Sequence, residues 1–330
     1  MATALENRSL ASPDQAVSSV ICVDGIRHSY GERAALKGVS FDVPAGEIFG
    51  LLGPNGSGKT TLFRILSTLM LPTGGRAIIA GFDVAGQPDH VRRRIGVVFQ
   101  AQSTDVKLTA AENLWHQGHL YGLRGSVLQS RIGEMLERVG LADRAKDRVE
   151  TFSGGMQRRV ELAKGLMHRP GVLLLDEPTT GLDPGARLDL WTYLDALRKR
   201  ENASIIVTTH LMEEAERCDR LAILSSGEIV GLGTPAELRS EIGGDVIMLE
   251  TAEPLSLANR VQQRLGVPSI VLDGKLRMEI RDGLKFVTVL AEAFPGAIQS
   301  VSISKPTLDD VFINRTGHRF WAENNKQEQG

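Results

Sequence analysis

Cysteine and long apolar runs are both scarce in this chain. Its 330 residues include only two cysteines, Cys22 and Cys218, which are far apart and match no metal-ligand spacing. We therefore expect both to be buried, reduced thiols in a cytosolic protein. No stretch approaches the roughly 18 consecutive apolar residues of a membrane span, so we expect no membrane-spanning segment.

The chain also lacks an excess of charge of either sign. With 38 basic and 40 acidic residues its formal net charge is −2, and bulk charge gives no reason to expect a nucleic-acid partner. Residues 1–18 contain no apolar core of the kind that a secretory signal needs, and we expect a mobile tail there. A hydrophobic content of 42% and a charged content of 24% are typical of a soluble globular protein. At about 150 residues per domain, the length predicts two domains.

A glycine-rich segment lies between an apolar strand and a helix. This context makes the pattern G-x-x-x-x-G-K-[ST] a phosphate-binding loop, because glycine lets backbone N–H groups turn inward and the helix start adds a positive dipole end. We expect Lys59 to reach the β- and γ-phosphates and the hydroxyl of Thr60 to bind Mg²⁺. The alternative is a glycine-rich turn with a surface lysine. The predicted phosphate-binding residues are Gly53, Pro54, Asn55, Gly56, Ser57, Gly58, Lys59, Thr60 and Thr61.

Two acidic residues end a second apolar strand. Buried carboxylates at such a strand end are costly unless they meet a cation or accept a proton. We expect Asp176 to be the magnesium partner of Thr60, and Glu177 to be the base that orients and deprotonates the attacking water. A helix N-cap is the alternative for these acids, but Pro178 leads into a loop, and Asp183 looks like the true helix start.

Three further side chains stand near the expected ligand. Gln100 and His210 follow apolar strands, and the carboxyl ends of strands in an open α/β sheet present side chains to a bound ligand. His210 could donate a hydrogen bond to the γ-phosphate, although a lone histidine is usually structural. Tyr30 could stack on adenine or be an ordinary surface aromatic.

A second candidate anion site is the start of a helix at Ser153, Gly154 and Gly155. Free backbone amides and a hydroxyl there can bind phosphate. A plain N-cap would need only the serine, and two glycines weaken a helix start. The pattern therefore favours a second phosphate contact.

Strand and helix patterns divide the chain into two folded parts. Residues 19–243 read as an α/β domain with a helical insert at about residues 101–170. Residues 244–317 show the order βαββαβ, which predicts a small α+β domain of the ferredoxin-like kind. Residues 318–330 read as a loose polar tail. The residues expected to face the core from two helices are Leu128, Ile132, Met135, Leu136 and Val139 of the insert, and Leu188, Trp191 and Leu194 after Asp183.

These motifs stand in the order and approximate spacing of the ATP-binding subunits of ABC transporters, which the chain resembles from Ile21 to Gly243. The resemblance implies a P-loop NTPase fold with a mixed sheet, an antiparallel β subdomain and a helical insert, with ATP and Mg²⁺ as ligands. It also implies that Gln100 joins Thr60 and Asp176 at the metal. In the family's terms, Tyr30 resembles the adenine-stacking loop, residues 53–61 the Walker A motif, Gln100 the Q-loop, residues 153–157 the signature, residues 172–177 the Walker B motif, Asp183 the D-loop and His210 the switch histidine.

The chain carries one copy of each motif, with two departures from the family pattern. Where the signature most often ends in glutamine, this chain has Met156 followed by Gln157, and its D-loop reads Thr-Gly-Leu-Asp rather than Ser-Ala-Leu-Asp. In this family the signature of one subunit closes over the ATP held by the Walker A motif of another. The resemblance therefore implies a homodimer that holds two ATP molecules in a two-fold interface.

The C-terminal segment 305–317 resembles a motif of the drug-resistance and nodulation-type exporter ATPases. That resemblance implies an ATPase that drives export through separate membrane permease subunits, and a cytoplasmic protein held peripherally on the inner face of the cell membrane by the permease. The segment also fits a helix capped by Thr307, with Leu308, Val311 and Phe312 docked on a sheet. Apolar and aromatic residues of the insert could supply part of the permease dock, although core packing is their default interpretation: Leu108, Leu114, Trp115 and Tyr121.

The alternative function is that of a soluble ABC-type ATPase acting on nucleic acid or ribosomes. Such relatives usually carry two ATPase heads in one chain, long coiled coils or zinc-binding cysteines, and this sequence shows none of these features.

Overall fold

The computed structural model describes residues 19–320, and three β-sheets organise that part of the chain. The strands of the first two sheets are β1 (Ser19–Tyr30), β2 (Arg33–Pro44), β3 (Ile48–Leu52), β4 (Gly74–Ile79), β5 (Phe82–Asp83), β6 (Ile95–Val98), β7 (Val172–Asp176), β8 (Ser204–Thr209), β9 (Arg220–Ser225) and β10 (Glu228–Gly233). The helices among them are α1 (Lys59–Leu66), α2 (Pro88–Arg92), α3 (Ala110–Leu120), α4 (Gly125–Arg138), α5 (Gly154–Leu166), α6 (Pro184–Glu201), α7 (Met212–Ala215) and α8 (Pro235–Ser240).

The larger sheet has the order β10-β9-β3-β8-β7-β6, with β10 antiparallel to β9 and the other five strands parallel. Its inner strands β3, β7 and β8 are buried at every residue because a layer covers each face. On β7, Val172 and Leu174 pack towards α1 and the smaller sheet, whereas Leu173 and Leu175 pack towards the helices α3 to α6. The carboxyl ends of β3, β6, β7 and β8 meet at one edge, which is where parallel sheets hold ligands.

The smaller sheet, of order β2-β1-β4-β5, is antiparallel throughout. It covers one face of the larger sheet, and Phe41 of β2 stacks on Phe49 of β3 with ring centroids 4.9 Å apart. The expectation that both cysteines are buried is wrong for Cys22, which is exposed. Along β1 the side chains alternate, and Ile21 and Val23 take the core-facing positions on either side of it. Cys218 is buried as predicted.

The helices α3, α4 and α5, with 3-10 helices at residues 142–144 and 149–151, lie between β6 and β7. The apolar face predicted for the insert is confirmed, because each of its five residues in and after α4 is at most 6% exposed. The prediction for α6 is partly wrong. Trp191 and Leu194 are buried, but Leu188 is 51% exposed. It lies off the buried stripe formed by Leu190, Trp191, Leu194 and Leu197.

Beyond residue 243 the chain forms a third, antiparallel sheet of order β12-β13-β11-β14. Helices α9 and α10 cover one of its faces through an apolar cluster of their own. The connectivity βαββαβ and this strand order are those of a ferredoxin-like domain, as the sequence predicted. The elements are β11 (Asp245–Glu250), α9 (Pro254–Leu265), β12 (Ile270–Leu272), β13 (Lys275–Ile280), α10 (Gly283–Ala293), β14 (Ser300–Ser304) and α11 (Leu308–Thr316).

The last helix, α11, joins the two parts. Its N-cap Thr307 forms a capping box with Asp310. Leu308, Val311 and Phe312 are buried, and they pack in one cluster with residues of β9 and α8 from the first part of the chain. On the opposite side, the buried Arg277 of β13 donates to the Asp310 carboxylate at 3.1 Å. The helix is therefore held between the larger sheet and the third sheet.

The sequence predicted loose tails at both ends of the chain. A loose polar tail from residue 318 is wrong at its start, because Phe320 is fully buried and packs edge-on against Phe312 with centroids 5.0 Å apart. The tails predicted for residues 1–18 and 321–330 lie outside the described residues. No helix within residues 19–320 is both long enough and apolar enough to cross a membrane.

Replacing Phe312 by alanine should lower the free energy of unfolding by about 3–5 kcal/mol, because the cavity would open in the cluster that joins the two parts. Chemical denaturation of the full chain measures the change. Leu284→Ala is the matched control, since Leu284 is 76% exposed and should cost less than about 0.5 kcal/mol. Equal losses in the two variants would contradict the packing described for α11.

Candidate active site

The phosphate-binding loop connects β3 to α1, and two of its glycines are required by space. A Cβ atom at Gly53 would lie 2.4 Å from the Ser57 Oγ atom and 2.6 Å from the Leu224 carbonyl oxygen. Gly58, which caps α1, has a φ of +110° and has the Ala35 carbonyl oxygen 2.7 Å from its Cβ position. Only glycine fits at either position without displacing backbone. The loop is thereby held tight around the start of α1.

Lys59, the first residue of α1, is buried beneath this loop. Its Nζ atom donates to the carbonyl oxygens of Gly53 and Pro54, at 2.7 and 3.0 Å, and lies 3.8 Å from a Glu177 carboxylate oxygen. Burial lowers the pKa of Lys59, against the opposing charges of Glu177 and Asp176. A buried ammonium of this kind gains from a further anion. Thr60, next in the chain, is exposed.

One hydroxyl of the loop is left over. The Ser57 side chain is 1% exposed, and within residues 19–320 its Oγ atom has no hydrogen-bond partner. Buried polar atoms are nearly always paired. The loop therefore carries both a buried ammonium and a buried hydroxyl, the latter without a partner among residues 19–320, as a site for an anion would.

The two acids at the end of β7 are anchored by β8. Asp176 is 6% exposed and accepts a hydrogen bond from the Thr208 hydroxyl at 2.6 Å. Burial raises the pKa of Asp176, although that hydrogen bond opposes the shift. Glu177 has a φ of +42°, a left-handed conformation that is strained for a residue with a side chain. Its N–H donates to the Thr208 carbonyl and hydroxyl oxygens at 3.2 and 2.9 Å.

The Glu177 carboxylate is the point on which the predicted catalytic residues converge. One oxygen accepts from Gln100 Nε2 at 3.3 Å and from the Thr180 hydroxyl at 3.3 Å, and it lies 3.1 Å from His210 Nδ1. The other oxygen lies 3.8 Å from Lys59 Nζ. Burial alone would raise the pKa of Glu177, but the hydrogen bond and charge of His210 and the charge of Lys59 outweigh it and lower the pKa. The group is therefore an ionised carboxylate, which is the form that a general base needs.

A cavity of about 830 Å³ opens above these groups. Tyr30 lines it and is 46% exposed, with its hydroxyl 3.5 Å from that of Thr61 and its ring edge-on to His28 at 4.8 Å. Arg33 and Lys37 also line the cavity, although the sequence had not pointed to them. The sequence feature that could have indicated them is the presence of two basic residues shortly after Tyr30, in the same hairpin. The predicted residues that line the cavity are Tyr30, Asn55, Gly56, Gly58, Lys59, Thr60, Thr61, Gln100, Glu177 and His210.

The signature and the D-loop do not line this cavity. Ser153 is exposed, and its hydroxyl caps α5 by accepting from the Met156 N–H at 3.4 Å. Asp183 caps α6 by accepting from the Ala186 N–H at 3.0 Å. Both residues therefore act as N-caps within this chain, which was the simpler of the two interpretations of each.

The side chains of Met156 and Gln157 are bound within their own helical part. Gln157 Nε2 donates to the carbonyl oxygens of Phe152 and Val149, at 3.1 and 3.3 Å. The Met156 sulfur lies 3.4 Å from an Arg144 nitrogen. In this conformation the signature presents Ser153 and Gly154 at the surface, and not these two side chains.

Arg158 is a buried residue of the site that sequence reasoning missed. Its guanidinium donates to the carbonyl oxygens of Phe99, Pro178 and Asp176, at 2.6, 2.8 and 3.3 Å, and pairs with Glu161 at 2.6 Å. It therefore ties the residue before Gln100 and both flanks of Glu177 to the helix that starts at the signature. The only signal in the sequence was a charged pair three residues apart on a mainly apolar helix.

Two parts of this chain match known protein families. Residues 36–180 match the family described as ABC transporter, and residues 233–316 match the family described as ATP-binding protein DrrA1-3-like, C-terminal domain. These two matches cover the phosphate-binding loop with both acids, and the third sheet with α11.

Three relatives match between 69% and 91% of this chain. A linearmycin resistance ATP-binding protein of Bacillus subtilis is 38% identical over 303 residues, which are 89% of this chain and 97% of the relative. A daunorubicin resistance ATP-binding protein of Streptomyces coeruleorubidus is 40% identical over 309 residues, 91% of this chain and 96% of the relative. A Nod factor export ATP-binding protein of Ralstonia nicotianae is 42% identical over 230 residues, 69% of this chain and 71% of the relative.

Solved structures share the fold of the first part. CbiO1 of Clostridium perfringens, described as part of an ABC transporter complex, superposes with a TM-score of 0.63 at 26% identity, covering 75% of this chain and 96% of that chain. A dimeric ATP-binding cassette bound to ADP and Pi superposes with a TM-score of 0.58 at 29% identity, covering 65% of this chain and 98% of that chain.

Lys59→Ala should weaken ATP binding by about ten- to a hundredfold, because it removes a buried charge-assisted donor beneath the phosphate loop. Titration with a fluorescent ATP analogue or by calorimetry measures the dissociation constant. Lys285→Ala is the control, since that side chain is 86% exposed on α10. Unchanged affinity in Lys59→Ala would count against the role of this loop.

Proposed function

This chain belongs to the ABC transporter family of ATP-binding proteins, and from that premise we propose that its ATPase activity drives export through separate membrane permease subunits. The observation that carries the proposal is the convergence of Lys59, Gln100 and His210 on the Glu177 carboxylate at the mouth of a phosphate-binding loop. The chemistry follows from these groups, and the direction of transport from the relatives.

ATP binding would exchange one set of acceptors for another. Lys59 now donates to the carbonyl oxygens of Gly53 and Pro54. Oxygens of the β- and γ-phosphates would replace these carbonyls and gain the full charge of the ammonium. The backbone N–H groups of the loop and the start of α1 would bind the remaining phosphate oxygens. Tyr30, at the cavity wall, would stack on the adenine.

Hydrolysis needs a water molecule in line with the γ-phosphate and a group that takes its proton. Glu177 is ionised, accepts hydrogen bonds from Gln100 and Thr180 and lies 3.1 Å from His210 Nδ1, so it can orient the water and accept the proton. His210, whose Nδ1 contacts Glu177, would hold the carboxylate in position and donate to the γ-phosphate. Gln100, which follows β6, would contact the same phosphate.

The site also fits Mg²⁺ as a cofactor. Within the described chain no cluster of three or more His, Cys, Asp or Glu side chains could hold a metal alone. Mg²⁺ in nucleotide sites needs no such cluster, because a few oxygen ligands and the phosphates suffice. The Thr60 hydroxyl, the Asp176 carboxylate and the Gln100 amide oxygen are the ligands that we propose. When bound, Mg²⁺ would neutralise charge on the phosphates.

A second copy of the chain would complete each site. Ser153 and Gly154 are exposed and do not line the cavity of their own chain. We infer that they, with the backbone of Gly155, Met156 and Gln157, bind the ATP held by the other copy, and that Asp183 lies beside the same interface. A similar cassette has been solved as a dimer with ADP and Pi. Two copies related by a two-fold axis would then bury two ATP molecules.

The permease partner and the export direction rest on the relatives, which are named for drug resistance and Nod factor export. On α3 and just after it, Trp115 and Tyr121 are 41% and 38% exposed, whereas Leu114 is fully buried. We propose the exposed pair as part of the permease dock and Leu114 as core. The chain would then act in the cytoplasm, at the inner face of the cell membrane. None of these relatives is named for action on nucleic acid or ribosomes, so that alternative is not favoured.

Glu177→Gln should keep ATP binding and cut turnover by about 10²- to 10⁴-fold, because the amide cannot accept a proton from water. Steady-state phosphate release and nucleotide titration measure the two effects separately. Glu213→Gln is the control, since its side chain is 87% exposed. Near-normal hydrolysis by Glu177→Gln would remove Glu177 from the role of base.

Co-purification tests the partner. The tagged full-length chain, expressed in its own host and extracted with mild detergent, should bring down a membrane protein with several spanning helices. Nucleic acid that stays bound at moderate salt, with no membrane protein, would instead favour the alternative function.

A further inference from the structure

A buried carboxylate next to the candidate active site has no place in the function proposed so far. Glu214 lies on the short helix α7, is 1% exposed and belongs to none of the predicted motifs. Its two oxygens each accept a hydrogen bond from a threonine hydroxyl, one from Thr179 and one from Thr209, the latter at 2.5 Å. The carboxyl group is thus buried with a hydrogen bond to each of its oxygens, the condition under which a buried polar group is tolerated.

The two threonines come from the two chain segments that carry the catalytic pair. Thr179 lies two residues after Glu177, and Thr209 lies directly before His210. Both are nearly inaccessible, at 2% and 1% exposure. Glu214 therefore joins the segment after β7 to the end of β8, and neither it nor the two threonines line the cavity.

The same two segments are also in contact at the Glu177 carboxylate. His210 Nδ1 and the Thr180 hydroxyl both contact it, at 3.1 and 3.3 Å. The Thr209 hydroxyl also accepts from the Leu211 N–H at 3.0 Å, which fixes the backbone on both sides of His210. The contact at Glu177 must loosen when a phosphate and a water enter, but the bonds at Glu214 need not change.

We propose that Glu214 is a positioning residue, which holds His210 at a fixed distance from Glu177 while ATP is hydrolysed. This inference rests on the proposed ATPase function and deepens it. An acceptor-only carboxylate suits the task because both partners are hydroxyl donors. Charge-assisted hydrogen bonds are also stronger than neutral ones. Glu214 touches neither substrate nor reacting atoms, so its effect would pass entirely through the two threonines.

The test compares ATP hydrolysis by the full chain with Glu214→Ala, Glu214→Gln and Thr179→Val. We expect Glu214→Ala to lower kcat by about ten- to a hundredfold, the cost of misplacing a catalytic group by about 1 Å. KM for ATP should change much less, because the phosphate loop meets the link through the backbone, where the Gly53 N–H donates to the Thr209 carbonyl oxygen at 3.3 Å, and the substitutions keep that bond. Glu214→Gln keeps the shape and one acceptor, and should recover most of kcat. Thr179→Val removes a single hydrogen bond and should lower kcat by less than Glu214→Ala does.

Glu47→Ala is the matched control. Glu47 is another buried acid, 8% exposed, and its carboxylate lies 3.5 Å from Arg220. Its bond to β8 is made by its backbone carbonyl oxygen, which accepts from the Ile205 N–H at 2.8 Å and is kept in the alanine variant. If Glu214→Ala loses thermal stability as Glu47→Ala does while kcat per folded molecule stays at the wild-type value, Glu214 is only structural and the inference is overturned. A rise in KM without a fall in kcat would overturn it as well.

The remaining outcomes distinguish a failure of the positioning role from a failure of the proposed function. If Glu214→Ala does not fold, an unchanged kcat in Thr179→Val decides against the inference, because that variant cuts the same link. If the wild-type chain neither binds nor hydrolyses ATP, or if Glu177→Gln is fully active, the proposed function fails first. Normal wild-type hydrolysis with indifference to Glu214 and Thr179 would leave that function intact and remove only the positioning role.

Discussion

A buried ammonium and a buried carboxylate, 3.8 Å apart, are the interaction on which the candidate site depends. The attraction between Lys59 and Glu177 does not by itself offset the cost of removing both charges from water. Each is supported by neutral groups as well: Lys59 by two loop carbonyls, and Glu177 by the hydrogen bonds of Gln100 and Thr180. The glycines that allow the loop to close, and the left-handed backbone at Glu177, are what this placement requires.

Around this pair, four chain segments end at the same edge of the larger sheet, and side chains from elsewhere tie them together. Thr208 holds both acids of β7 from the neighbouring strand, and Arg158 reaches three carbonyl oxygens from the signature helix. A displacement of α5 is therefore transmitted directly to the backbone around Gln100 and Glu177. In a dimer, the same helix would carry the signature that faces the other copy's nucleotide, which would link the two sites through a single guanidinium.

Motif spacing predicted the convergence of Lys59, Gln100, Glu177 and His210, because each follows a strand and parallel strands end together. The supporting residues could not be predicted in this way. Arg158 and Thr208 depend on which strands pair and in what register, and those are contacts between distant parts of the chain. Ser153 is an N-cap within its own chain, and the nucleotide proposed for it belongs to a second copy.

The fold was predicted well where patterns are long and less well where one residue decides. The βαββαβ order of the C-terminal part followed from clean alternation, as in β13. Leu188 was misplaced because a helix with few apolar positions leaves its stripe poorly defined, and Cys22 because a small apolar residue fits either face of a strand. Phe320 shows a different limit, since a single aromatic residue in a polar sequence can be buried by tertiary contacts that no local pattern announces.

The seat of α11 has a consequence for how this polypeptide is divided. Leu308, Val311, Phe312 and Phe320 cover Leu221, Ile223 and Leu238, which belong to the hydrolytic half. A fragment cut at residue 243 would expose those side chains to water and would be prone to self-association. A truncated form of this enzyme that keeps these apolar side chains away from water must therefore extend to residue 320. The two halves are separate in sequence, but each depends on the other to bury its apolar surface.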